Sequence, residues 1–369
     1  MEMEPPSPNL PDQDAVRDQR APGADRPQKQ DRRVRRAPMQ RVFTYVQGKE
    51  TVLWWLHSTY ALLFGLLVMW LGSRNYTYLR LIVFHIGFIW LSSLFLPALV
   101  HRSWLSPKWQ ERVRLGINYF NKNFYQQLLF FLLPIYYAST TIGSRNTPFL
   151  GLLALSAILS TMDIVYDRYL SVRWQLTAVF FMFNVFASVN VMLPVLWSVG
   201  NRWAMYASGL LALGGFASML YKLSGLQRTS AKSLFIGAAL VMLLIVTVLP
   251  PFIPPAPLRL ANAEFGRAIS SLHIVAPLDR LPSGPGKILA LTAVQAPMGL
   301  EERVRHKWYL DGRVIYASDY YSVTGGRKEG YRIWTQVTWK EGQQGRVLIV
   351  DVETRGGQLI GRATLKAVP

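Results

Sequence analysis

An α-helical membrane bundle of about seven transmembrane helices followed by a small all-β, sandwich-like domain is the fold this chain predicts, on three observations. Seven apolar stretches run over about 52–72, 79–100, 124–142, 148–165, 174–197, 203–221 and 233–253, each near the roughly 20 residues a helix needs to cross a bilayer. The loops between them alternate between rich and poor in positive charge. Beyond residue 286 the apolar period changes, and short runs separated by glycine turns replace the long stretches.

The charge alternation predicts orientation. Residues 1–51 hold 10 Lys and Arg, 101–123 hold 5, 166–173 hold 2 and 222–232 hold 3, whereas the opposite loops hold Arg74, Arg80, Arg145 and Arg202. Basic residues near helix ends stay cytoplasmic, so the amino terminus is expected inside and, after an odd number of crossings, the carboxy-terminal domain outside. The same excess accounts for half of the 40 basic residues behind the net charge of +19. Orientation and anionic headgroups explain that charge without nucleic acid, and no nucleic-acid partner is expected. The absence of cysteine removes disulfides, thiol nucleophiles and thiolate metal sites.

Four segments follow. Residues 1–50 are rich in Pro, Asp, Gln and Arg and poor in core-forming side chains, which predicts a disordered basic cytoplasmic tail. Within it Arg32, Arg33, Arg35 and Arg36 are candidates for contact with the lipid bilayer. Residues 51–253 form the transmembrane domain. The small residues Ala204, Ser208 and Ala212 are expected to let the sixth stretch approach a neighbour closely. Residues 254–285 read as a stiff Pro-rich spacer followed by a short helix carrying Phe265, Ile269, Leu272 and Val275. Residues 286–369 are the β domain, with strands expected at 288–295, 304–310, 313–321, 331–340, 346–354 and 358–367. Asp311-Gly312 between two aromatic runs is a strong hairpin signal, because both residues tolerate positive φ.

Candidate functional residues fall into two groups. In the membrane, His57, His85, Asp163, Asn184 and Asn190 are the polar groups set into apolar stretches, where each is costly. His57 and Asp163 share a depth and form a candidate proton-relay pair. In the β domain, period-2 alternation puts Tyr331, Ile333, Val337 and Trp339 on one face, expected to be core, and Arg332, Trp334 and Gln336 on the other. Arg332 and Trp334, with His306 and Trp308, are the candidate ligand-binding residues, since aromatic rings give contact area at low entropy cost. Phosphate loops, zincin motifs, nucleophile elbows and dinucleotide fingerprints are missing, and His273, His306, Glu301 and Glu302 lack ligand spacing. No catalytic residue, metal or cofactor is expected.

The run from Val304-Arg305-His306-Lys307-Trp308 through Asp311-Gly312-Arg313, then Tyr331-Arg332-Ile333-Trp334, then Gly345-Arg346-Val347 to Gly356-Gly357-Gln358-Leu359-Ile360 resembles a bacterial domain family of unknown function, the DUF2914 type. The multi-pass region is similar in layout to the bacterial membrane module that precedes that domain. The resemblance implies a bacterial inner-membrane protein whose last domain faces the periplasm, and it implies no catalytic assignment. The expectation is a non-enzymatic anchor presenting a β domain to an envelope protein or polysaccharide. The alternative is a transporter or proton-coupled carrier using the polar groups of the bundle. Oligomeric state is left open.

Overall fold

The computed structural model describes residues 59–60, 62–63, 66–67, 128–162, 169, 172–222, 228–340 and 347–367. Most of the expected first crossing, all of the second, the basic tail, His57, His85 and Asp163 lie outside the described residues; the described part of the first, within 59–67, is helical.

From residue 128 on, five apolar helices precede the strands among the described residues: α1 (Leu128–Ala138), α2 (Thr147–Thr161), α3 (Trp174–Trp197), α4 (Asn201–Lys222) and α5 (Arg228–Thr247). Only α3, α4 and α5 are long and apolar enough to cross a bilayer, so about seven crossings is corrected to three within the described residues. Within the described residues the expected third and fourth crossings are the shorter helices α1 and α2, and each ends before its expected bound. Ser139 and Thr140 hydroxyls bond back to the carbonyls of Ile135 and Tyr136, at 3.0 and 2.6 Å, which caps α1 at Ala138 instead of 142. Gly143 at φ 80° turns the chain, Pro148 opens α2, and Met162, with ψ 81°, closes it.

Where α3, α4 and α5 meet, small residues set the spacing. Ala204, Ser208 and Ala212 are fully buried, a Cβ on Gly215 would fall on the ring of Phe181, and one on Gly209 would lie 3.1 Å from Met242 of α5. The stripe expected from sequence therefore packs inside the bundle. Away from these contacts, large apolar side chains are exposed: Leu152 and Leu155 on α2, Val179 on α3, Leu210 on α4, and Ile236, Leu240, Val241, Leu243 and Leu244 on α5. In water such exposed apolar side chains would favour association, whereas they are compatible with contact to acyl chains.

After α5 the proline run departs from the expected spacer. Pro250–Phe252 is a 3-10 turn, the Ala256–Pro257 bond is cis, and Ile253 and Ala256 are buried in the same apolar cluster as α1, α3 and α4. The predicted helix around Phe265 and Ile269 is also replaced. Arg259–Gly266 is strand β1, and Ile269–Ser270 and His273–Ile274 are β2 and β3, a tight hairpin turning through Ser271 and Leu272 at positive φ. The β domain thus begins near 259, not 286.

The remaining strands are β4 (Gly286–Gln295), β5 (Glu301–Leu310), β6 (Arg313–Ala317), β7 (Tyr321–Thr324), β8 (Tyr331–Trp339), β9 (Val347–Thr354) and β10 (Leu359–Lys366). One sheet has the order β1-β4-β8 and the other β10-β9-β5-β6, with β7 also on β5, all neighbours being antiparallel. Asp311 and Gly312 take φ of 48° and 83°, as the β5–β6 hairpin requires. The sheets face each other across two apolar clusters. Phe265, Ile288 and Trp339 meet Trp308, Leu348, Val350 and Leu365, and Val294 and Ile333 meet Val304, Val323, Val352 and Ile360. This is a β-sandwich.

Direct hydrogen bonds seat the sandwich on the helix ends. Asn146 Nδ2 donates to Leu359 O (3.1 Å), Gln358 Nε2 to Ile253 O (3.1 Å) and Ser198 Oγ to Met298 O (3.3 Å), while Asn201 Nδ2 holds the proline run at Pro255 O (3.1 Å). Glu302 Oε2 accepts the backbone N–H of Asn201, the first residue of α4, at 2.9 Å. That N–H is one of the donors a helix start leaves unpaired, and a carboxylate there also opposes the positive end of the helix dipole. Glu302→Ala is expected to cost about 1 kcal/mol and to speed hydrogen exchange at the start of α4, with Glu302→Gln restoring protection because it keeps an acceptor. Unchanged exchange in the alanine variant would remove Glu302 from the junction.

Candidate functional site

Strand alternation separates the four β-domain candidates into two pairs. On β5, Val304, His306 and Trp308 point inward, and all three are fully buried. His306 Nε2 lies 2.7 Å from Thr292 Oγ1, its Nδ1 lies 2.8 Å from Thr335 Oγ1, and Trp308 Nε1–H donates to that same Thr335 oxygen at 2.8 Å. Neutral imidazole needs one donor and one acceptor, and a hydroxyl serves as either, so the network satisfies the neutral ring. Burial lowers the His306 pKa from 6.5 to about 4. His306 and Trp308 are therefore core residues, and their expected place in a ligand site is corrected. Edge-to-face packing of Trp308 on Phe265, with centroids 6.1 Å apart, ties the two sheets together at that point.

Arg332 and Trp334 point the other way, as their position on β8 predicted. Trp334 is 42% exposed, and both residues line an open cleft of about 450 Å³ with Leu272, Tyr316, Tyr321 and Gln336. The guanidinium is held on three sides. Its Nη2 meets Glu329 Oε2 at 2.9 Å, while Nη1 donates to Leu272 O at 3.3 Å and lies 3.1 Å from His273 Nε2. Fixing the cation removes rotamer freedom before any ligand arrives. Tyr321 stays a neutral phenol, held above its ordinary value by burial first and then by Tyr316 and Asp319. The cleft thus offers an indole face, two phenols able to donate or accept, and one anchored cation.

Tyr316 and Tyr321 also belong to the cleft, beyond the residues expected from sequence. Their strands come from the opposite sheet, and only the fold brings them beside β8. Leu272 carried no signal, because its segment read as helix. By contrast, the outer face of the β10-β9-β5 ladder closes on itself through ion pairs: Arg362 grips Asp351 with two bonds of 2.6 and 2.8 Å, and Arg305 reaches Glu353 at 2.7 Å. Among the described residues no His, Asp and Glu cluster has the makings of a metal site.

In the bundle, Asn190 Nδ2 donates to the Tyr136 hydroxyl at 3.3 Å, and that hydroxyl donates to Ala187 O at 2.9 Å. Asn190 thus links α3 to α1. Asn184, six residues earlier and 1% exposed, has no partner for either amide atom among the described residues.

No curated protein and no solved structure matches the chain. Two family models do. The Protein of unknown function (DUF2914) family matches residues 301–366, from β5 to the end of β10, which makes this a C-terminal DUF2914 domain. The sandwich is larger than that match, since β1 and β4 complete its second sheet. The other model covers residues 37–275, more than half of the 369 residues, and on that match the chain belongs to the Family of unknown function (DUF5924).

Proposed function

We propose that this protein is a non-enzymatic anchor of the bacterial inner membrane that holds its β-sandwich on the periplasmic side and offers the β8 cleft to an envelope protein or polysaccharide. The observation that carries the reading is the pairing of a fixed seat with an open cleft. Four hydrogen bonds join the sandwich to the helix ends and to the turn after α5, and Arg332 and Trp334 stay accessible in a space large enough for a ligand segment. Orientation is supported by the three long helices alone. Arg168 and Arg173 precede α3, and Lys222, Arg228 and Lys232 flank the α4–α5 connection, whereas Ser198-Val199-Gly200 and the sandwich occupy the opposite side. In the same reading Arg32, Arg33, Arg35 and Arg36 meet anionic lipid at the cytoplasmic face.

Photo-crosslinking of the full-length protein in its own envelope tests this. The wild type should capture an envelope component that Arg332→Ala and Trp334→Ala variants, inserted at equal levels, capture several-fold less. Equal capture by all three would contradict the reading.

One observation favours a second reading. A buried amide with neither atom paired among the described residues is costly, and a solute pathway would explain why α3 keeps Asn184. If the amide is merely a strained packing residue, Asn184→Leu should raise the melting temperature, gaining up to about 1 kcal/mol. A carrier would lose solute uptake in proteoliposomes instead.

A further inference from the structure

The two flanks of the sandwich are finished differently. On one flank the edge strands β1 and β10 lie together, and each is protected. The β1 register shifts between Leu260 and Asn262, and that of β10 between Leu359 and Gly361. Leu260 packs over Gly361, where a Cβ would clash. The 276–281 segment covers both strands, with Leu278 N–H donating to Phe265 O and Leu281 N–H to Lys366 O, each at 2.9 Å. Bulges and covering segments are how sheets blunt an edge.

On the other flank the β5–β6 pairing shifts register between Trp308 and Tyr309, but β8 has none of these devices. Strand β8 pairs with β4 without a break from Tyr331 to Trp339, and among the described residues no strand pairs with its other edge. It contains no proline, no glycine and no lysine, and Arg332 is its one charge. In an antiparallel ladder every second residue turns its N–H and C=O away from the neighbour it is paired with, so β8 presents a row of such groups outward. The cleft lies along this row, because Tyr331 through Gln336, six consecutive residues of alternating face, all line it. Consecutive lining residues mark an edge and not a face. Its far wall is Tyr316 and Tyr321 from the other sheet.

We infer that the free edge of β8 is a strand-addition site for an extended polypeptide of alternating apolar and polar residues carrying acidic side chains. The inference rests on the reading of the sandwich as a presented binding domain, and it narrows the ligand to peptide. Backbone pairing supplies attraction, and the incoming strand's inward side chains lie over Tyr316 and Tyr321 while its outward ones flank Trp334 and Arg332. Charge completes the match. Residues 311–340 carry five cations, among them Arg313, Arg327 and Arg332, against Asp311, Asp319 and Glu329, which favours an acidic partner.

A second copy in the same membrane does not supply this strand. The two-fold axis relating two antiparallel edge strands stands perpendicular to their sheet. Here β5 and β10 begin at the helix ends, through Glu302 and Leu359, so the strands rise away from the bundle and the axis would lie in the bilayer plane. Such pairing would turn the second copy's helices out of that bilayer.

The test uses full-length protein in lipid nanodiscs and a short fluorescent peptide of alternating valine and threonine with glutamate at both ends. Two further versions are N-methylated, one at the valines and one at the threonines, so each loses the N–H donors of one edge and keeps every side chain. Strand addition predicts that the parent binds, that one methylated version loses about tenfold or more in affinity while the other binds as the parent does, and that amide exchange in the 331–339 segment slows about tenfold at saturation. Absence of parent binding, or equal affinity of both methylated versions, overturns the inference. Binding of chitotetraose that depends on Trp334 and excludes the peptide also overturns it, yet leaves the presented-domain reading standing. That reading is judged separately by which side of the membrane the sandwich occupies.

Discussion

Taking the protein from pH 7 to pH 4 is expected to weaken the β-sandwich by up to about 3 kcal/mol, and His306→Gln is expected to flatten most of that dependence. In the unfolded chain the imidazole takes up its proton near 6.5, but in the folded domain burial delays this to about 4. Between those values the unfolded state holds more protons than the folded one. The stabilisation is therefore complete above about 6.5 and is lost as the pH falls through the folded value. Protonation also upsets the local pairing, since both ring nitrogens would then donate, and Thr335 already accepts from Trp308. Glu302 acts in the opposite sense. Burial raises its carboxyl above the ordinary range, so its term is present at low pH and is lost as pH rises. Comparing wild type with His306→Gln across a pH series of thermal unfolding, followed by tryptophan fluorescence, isolates the histidine. A wild-type profile no steeper than the variant's would show that His306 does not titrate as a buried neutral group.

The second large effect is a contrast between two tryptophans. Trp308→Ala is expected to cost about 3–5 kcal/mol, a fall of well over 10 °C in melting temperature for a domain of this size. It empties the centre of the inter-sheet core, removes the ring packed on Phe265 and deprives Thr335 of a donor. Trp334→Ala is expected to change stability by about 0.5 kcal/mol or less, because that indole stands in the cleft and 42% of it is exposed, while partner capture falls. Thermal unfolding and crosslinking on the two variants read both quantities. Were the stability ranking reversed, β5 and β8 would be facing the wrong way and the cleft would be misplaced.

These two residues also show what was legible in the chain. On β8 the alternation of Tyr331 to Trp339 separated core from surface as the structure does, with Ile333 and Trp339 buried and Trp334 and Gln336 exposed. The same rule applied to Val304, His306, Trp308 and Leu310 puts His306 inside, and its polar ring follows that register instead of facing a ligand. Strand β1 was less accessible. Arg259–Gly266 contains Ala, Asn and Gly, residues with little strand preference of their own, and it becomes a strand by pairing with β4. The spacing of Phe265, Ile269 and Leu272 fits a helix face equally well when no partner is known. Hydropathy located the apolar stretches but not their lengths, since it does not register the hydroxyl bonds of Ser139 and Thr140 that end α1. The contact between Glu302 and Asn201, 101 residues apart in sequence, leaves no local trace at all.

The central claim is that the sandwich stands on the side of the membrane away from the basic loops, with the β8 cleft facing outward. Fusing alkaline phosphatase, which matures only outside the cytoplasm, and a fluorescent protein that matures only inside it, each after Pro369, measures this directly. The account predicts an active phosphatase and a dark fluorescent fusion. A fluorescent fusion with inactive phosphatase would place the sandwich in the cytoplasm and contradict it.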